Sequence, residues 1–152
     1  SSRGLIERVI PTADLLIGAV LTPGGRAPTL VDEALVQQMR PGSVIVDVAI
    51  DQGGCIASSE ETTHTAPVIE KFGVQHYAVG NMPGAVPFTS TEALVSVTLP
   101  YIVTIAGRGL SEAVTERPEL LSGLNTVEGA VCHPGVARAL DVPPRHPMAC
   151  LR

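Results

Sequence analysis

The feature that most constrains this chain is a pair of short, dense apolar runs. Ala13–Val20 (ADLLIGAV) and Ser43–Ala49 (SVIVDVA) are each of strand length and nearly free of polar alternation. That pattern marks strands covered on both faces, as in parallel sheets flanked by helices. Between them lie a Pro23-Gly24-Gly25 loop and a helical stretch, Leu30–Met39, which Thr29 and Asp32 open as an imperfect capping box and Pro41-Gly42 closes. Ser2 to Ile10 reads as a first helix that stops at Pro11, and Val74–Val79 as a third, shorter strand. Residues 51–66 are polar and rich in Gly, Ser and Thr, hence loop. Strand, helix, strand, crossover, strand describes a parallel α/β sheet. Three such strands make half of a doubly wound domain, with the first strand as a bare edge. The chain therefore reads as the downstream part of a larger protein.

Composition agrees. Only 16% of the 152 residues are charged, and Phe72, Tyr77, Phe88 and Tyr101 are the aromatics. Thirteen prolines and fifteen glycines suit aliphatic strands joined by tight turns. A net charge of −5 with no basic run speaks against a nucleic-acid partner. With no unbroken run of 18 apolar residues, no membrane-spanning helix is expected. Cys55, Cys132 and Cys150 are an odd number without metal-ligand spacing, so no disulfide or zinc framework is expected and a reducing cytoplasm is the default. Farther along, Asn81–Pro87 is a proline-braced loop. Thr89–Glu92 is a capping box opening a long helix over about 90–107, kinked at Pro100. Shorter helices are expected near 111–116 and 134–140, then a proline-rich tail. The expected division is 1–88, half of an α/β domain, and 89–152, a helical segment of a second domain.

Ligands of open parallel sheets sit beyond the carboxyl ends of the strands. Val20-Leu21, Ile50–Gly54 and Gly80–Pro83 should therefore converge on one crevice. Asp47, mid-strand, reads as a buried structural carboxylate. Asp51, about 13 Å farther along an extended strand, reads as a site residue or as a cap on the Gly53-Gly54 turn. Asn81 can serve a ligand or order its own loop. Arg26 can bind an anion or stand solvated, and His64, His76, His133 and His146 read as structural or exposed. Cys55 has no basic neighbour to activate it.

Three blocks go further. ADLLIGAVLTPGGRAPTLV, RPGSVIVDVAIDQGGC and HYAVGNMPGAVPFTSTEAL, in that order, resemble the alanine dehydrogenase and transhydrogenase α-subunit superfamily over Ser1 to about Gly135. Transhydrogenase members usually carry glutamate where this chain has Asp51, so the resemblance is to the alanine dehydrogenase branch. It implies the second half of an NAD-binding Rossmann-type domain followed by helices that rejoin a substrate domain. It also implies NAD-linked oxidative deamination of L-alanine to pyruvate and ammonia, in a cytoplasmic homo-oligomer that is hexameric in the family. By the same resemblance Asp51 is the catalytic carboxylate beside nicotinamide and substrate. Ser1, Val20, Leu21, Val48, Ala49, Ile50, Asp51, Val79, Gly80, Asn81 and Met82 match positions that contact NAD. Gly80 stands where alanine is common, and Arg26 where lysine is common. The family's glycine-rich phosphate loop, its ribose-binding acid and its substrate-binding lysine, arginine and histidine match nothing here, so the chain by itself is expected to be inactive. The other readings are an NAD(H)-binding transhydrogenase-type subunit, and a non-catalytic remnant or oligomerisation module.

Overall fold

A computed structural model describes residues 2–151 and divides the chain into two units, Ser1–Thr22 with Arg26–Ala85, and Pro23–Gly25 with Val86–Arg152.

The first unit is a four-stranded sheet. Its strands are β1 (Leu15–Gly18), β2 (Val44–Asp47), β3 (Val68–Lys71) and β4 (Val74–Tyr77), in the spatial order β1-β2-β4-β3. β1, β2 and β4 run parallel, with Leu15 opposite Val44 and Val44 opposite Gln75. β3 was not expected. It pairs antiparallel with β4 through a two-residue turn, Lys71 opposite Val74. Phe72 and Gly73 both have positive φ, 57° and 74°, the signature of a type I′ hairpin. The sheet is therefore mixed, and its strands are shorter than the apolar runs that announced them.

Two helices, α1 (Arg3–Val9) and α2 (Glu33–Val36), belong to the same unit. Thr29 does not start α2. Asp32 caps it, accepting the Leu35 N–H at 2.9 Å, and the residues before it pair with the chain near Cys55. Ile10, Val31, Leu35, Val36, Met39, Ile45, Ile56 and Val74 form one buried cluster against which Ile6, Leu16 and Val20 pack. Gly18 matters to this packing, because a Cβ there would lie 2.5 Å from the Cys55 sulfur.

The strands are not covered on both faces. Leu15 and Ile17 are more than half exposed, and Val44 and Val46 only partly buried. β1 is an edge strand carrying two bare aliphatic side chains, an arrangement that invites pairing with another chain. The isolated chain is accordingly expected to elute ahead of a monomer in size-exclusion chromatography at high concentration. Ile17→Lys should return it toward monomer while changing stability by no more than about 0.5 kcal/mol. Equal elution of the two would remove β1 as the cause.

Within β4, His76 is fully buried. Its Nδ1 lies 2.9 Å from the Val74 carbonyl and its Nε2 lies 2.8 Å from the Ser58 hydroxyl. A carbonyl only accepts, so Nδ1 carries the proton and a neutral ring accepts from Ser58 at Nε2. Burial pushes the His76 pKa below its ordinary 6.5. A histidine so depressed stabilises the fold fully above 6.5, and that contribution is lost as pH falls toward the lower folded value. Urea unfolding should thus show stability declining below pH 6.5. His76→Gln should flatten that decline, and an unchanged slope in the variant would assign it to other groups.

The second unit is led by α3 (Pro87–Glu116), broken at Gly109, whose φ of 76° is not helical. The Thr89–Glu92 capping box does not open it. Val86 occupies the N-cap and Pro87 the first turn, a position where a missing N–H costs nothing. Leu94, Val97, Ile102 and Val103 are exposed along it. By length and composition α3 is apolar enough to cross a membrane. Counting consecutive apolar residues does not register this, because Ser, Thr, Gly and Pro interrupt the run without adding charge. Arg117 sits over the Tyr101 ring at 5.1 Å, and its Nε donates to the Thr104 hydroxyl at 3.2 Å. A small hairpin comes next, β5 (Thr126–Val127) and β6 (Ala130–Val131), then α4 (Pro134–Ala139). His133 caps α4, its Nδ1 accepting the Gly135 N–H.

Candidate functional site

The parallel strands end side by side, and each leads into a different kind of segment. After β2 the chain does not stay extended. Asp47 closes the strand and residues Val48–Gln52 wind into a 3-10 turn. The expectation that Asp47 is mid-strand and 13 Å from Asp51 is corrected: four residues of 3-10 helix rise about 8 Å. Asp47 is nevertheless the structural carboxylate foreseen. Fully buried, it accepts the N–H of Ala49 at 3.2 Å, of Cys55 at 3.1 Å and of Ile56 at 3.2 Å. It thereby folds the 3-10 turn and the segment after Gly54 around one anion. Gly53 and Gly54, at φ 91° and 74°, supply the reversal between them. A Cβ on Gly54 would stand 3.0 Å from the Asp47 carboxylate.

This fold-back leaves a cleft of about 280 Å³ lined by Ala19, Val20, Leu21, Val48, Ala49, Asp51 and Gln52. Of the residues foreseen for the site, Val20, Leu21, Val48, Ala49 and Asp51 meet there. Leu21 and Val48 present exposed aliphatic walls, while Ala49 is buried in the floor. Asp51 is exposed at the rim, and its Oδ1 accepts the Asn81 N–H at 3.2 Å. That bond crosses from the turn after β2 to the loop after β4 and leaves Oδ2 as the unengaged oxygen.

The rest are placed differently. Ile50 is buried and points toward Gly54. Val79 is fully buried, and Gly80 donates its N–H to the Thr62 carbonyl at 3.3 Å. Met82 begins a 3-10 turn, Met82–Ala85, and Asn81, at φ 54°, turns the chain into it. His64, read as structural or exposed, donates from Nε2 to the Asn81 carbonyl at 3.1 Å. Val79, Gly80, Asn81 and Met82 thus neighbour the cleft through the Asp51–Asn81 bond and do not line it. Ser1 lies outside the described residues.

Gln52 was foreseen only as part of its segment. Its side-chain oxygen accepts the Thr22 N–H at 3.1 Å and its carbonyl accepts the Ala27 N–H at 2.9 Å, tying the loop after β1 to the cleft. Its place beside Asp51, ahead of two glycines, was the available signal. Arg26 lies against Gly53, where a Cβ would stand 2.6 Å from its Nε. Cys55 is inert by environment, since burial and the Asp47 charge push its thiol up to about 11.

Chemically, the cleft offers apolar walls, backbone that approaches closely because of two glycines, and one carboxylate whose free oxygen can hold or move a proton. Among the described residues no cluster of metal-ligating side chains accompanies it.

The chain is 57% identical over 139 residues to alanine dehydrogenase of Methanococcus maripaludis, covering 91% of this chain and 37% of that protein. It is 57% identical over 136 residues to the Bacillus subtilis alanine dehydrogenase, covering 89% and 36%. The chain therefore spans little more than a third of the length of these relatives. A solved L-alanine dehydrogenase superposes with a TM-score of 0.75 at 53% identity, covering 93% of this chain and 39% of that one. A transhydrogenase from Sinorhizobium meliloti superposes with a TM-score of 0.62 at 29% identity, covering 71% and 30%. Residues 1–134 match the family model described as alanine dehydrogenase/PNT, C-terminal domain, and the chain belongs to that family.

Proposed function

We propose that this chain is the C-terminal part of an NAD-dependent L-alanine dehydrogenase, converting L-alanine, NAD and water to pyruvate, ammonia and NADH. The observation that carries the proposal is Asp51, a carboxylate held at the rim of the cleft by the Asn81 N–H with one oxygen free. In this reading residues 1–88 are the second half of the NAD-binding domain and 89–152 belong to the substrate domain. Val20, Leu21, Val48 and Ala49 hold the nicotinamide end against apolar surface and backbone. Val79, Gly80, Asn81 and Met82 frame its far side, and Ser1 and Ile50 complete the set. When bound, NAD accepts the hydride from the substrate α-carbon.

The chain's own residues supply the rest. Positive charge grows on the amino-bearing carbon as hydride departs, and a fixed carboxylate beside it lowers that barrier. Asp51 Oδ2 is placed to orient the ammonium group and to take its proton, and later to steady the water that attacks the carbon. Asn81 fixes the other oxygen, so Asp51 meets the substrate in one orientation. The transhydrogenase reading has less support, with aspartate at 51 and 29% identity against 53%. A homo-oligomer is part of the proposal, supported by the exposed aliphatic side chains along α3. A cytoplasmic location suits the three free thiols.

A chimera tests this: the chain replaces the matching C-terminal segment of the Bacillus subtilis relative. The expected result is NAD reduction that depends on L-alanine. A soluble chimera that binds NADH and turns over no L-alanine would overturn the proposal.

A further inference from the structure

We propose that Cys132 and Cys150 are a reversible dithiol–disulfide site that fastens the C-terminal segment to the β5–β6 hairpin. Both cysteines are free and buried, and with Val127 they form the small core of the second unit, packed by Leu124, Ala130 and Leu151. The Cys132 thiol donates to the Ala130 carbonyl at 3.5 Å within this same core.

Backbone contacts hold the pair together. Cys132 directly follows β6, and its N–H donates to the Asn125 carbonyl at 2.8 Å. Cys150 follows the 3-10 turn Pro147–Ala149, and its N–H donates to the Pro147 carbonyl at 2.9 Å. Between them the Arg145 N–H donates to the Val131 carbonyl at 2.8 Å, which pins the tail to β6. Two cysteines packed in one small core on anchored backbones need little movement to bond. Cys150 lines a cleft of about 200 Å³ with Val127, Glu128, Ala130, Arg145 and Ala149, which gives a reagent its approach. The family match ends at residue 134, and Cys150 lies beyond it.

The chemistry balances with a small disulfide as oxidant. The Cys150 thiolate attacks one sulfur of glutathione disulfide, forming a mixed disulfide and releasing one glutathione. The Cys132 sulfur then attacks the Cys150 sulfur and expels the second. Two thiols are oxidised, one disulfide is reduced, and the two thiol protons leave on the glutathiones. Burial, followed by the neighbouring Cys150, raises the Cys132 pKa, so the second step quickens as pH rises. Cys55, in the first unit and pushed up to about 11, serves as internal control.

The test is incubation of the whole chain with glutathione disulfide under native conditions, then intact mass and a non-reducing peptide map. The expected product is lighter by two hydrogens, carries one Cys132–Cys150 cross-link and reverts with reductant. Cys55→Ser should behave the same way, whereas Cys150→Ser should form no internal bond. Stable glutathione adducts, cross-links through Cys55 or between chains, or an unchanged mass would each overturn the proposal. The map on the unsubstituted chain decides the matter even where a variant fails to fold.

Discussion

Replacing Asp47 with alanine is expected to cost the sheet unit about 3–5 kcal/mol. The carboxylate accepts three buried backbone N–H groups, those of Ala49, Cys55 and Ile56. A donor stranded away from water costs about 1–3 kcal/mol, and partial relaxation keeps the sum below three full penalties. Domains of this size are stable by about 5–15 kcal/mol, so the loss consumes a large part of the margin. Asp47→Asn keeps one acceptor but turns an NH₂ toward donors, and should fall between alanine and the parent. Urea denaturation measures both. An alanine variant within about 1 kcal/mol of the parent would mean that water or a rearranged turn satisfies the three amides.

Asp51 should behave in the opposite way. In the chimeric enzyme, Asp51→Asn is expected to lower kcat and kcat/KM for L-alanine together by about 10²–10⁴-fold, or roughly 3–5 kcal/mol of barrier. Affinity for NADH should change little. Asparagine preserves size and can still accept the Asn81 N–H, so the loop after β4 keeps its tie while the charge and the proton acceptor vanish. A parallel fall of both constants marks an interaction made only in the transition state. Were Asp51 merely a tether for Asn81, the variant, which keeps that bond, would hold kcat within severalfold of the parent. Asp47→Asn is the internal control, acting on stability more than on turnover.

The sequence was legible where one physical signal dominated and misleading where two competed. The apolar runs located β1, β2 and β4 because burial demands aliphatics. They overstated length because Val48–Ile50 are equally apolar in a 3-10 turn. β3 was hidden by its own exposure: Val68 and Glu70 are exposed and Ile69 only partly buried, so the segment looks like loop. Its turn uses Phe72-Gly73, where the usual signal is asparagine or aspartate before glycine. Asp51 was placed by its position before two glycines. Gln52 was placed only with its segment, because its own work depends on the Thr22 and Ala27 amides, which only the folded chain brings near.

The two borders of the sheet are chemically unlike. β3 is a short hairpin arm whose Glu70 accepts from Gln75 and whose Lys71 is engaged by Ser58 and Glu60. Inserting a strand beyond it would bury charges already committed to local partners. β1 carries no such obstacle. The sheet therefore has a direction: in any larger sheet built on this one, new strands are added beside β1, and β3 is a terminus. Strand order on one side is closed by this chain's own side chains, before any other part of the protein is specified.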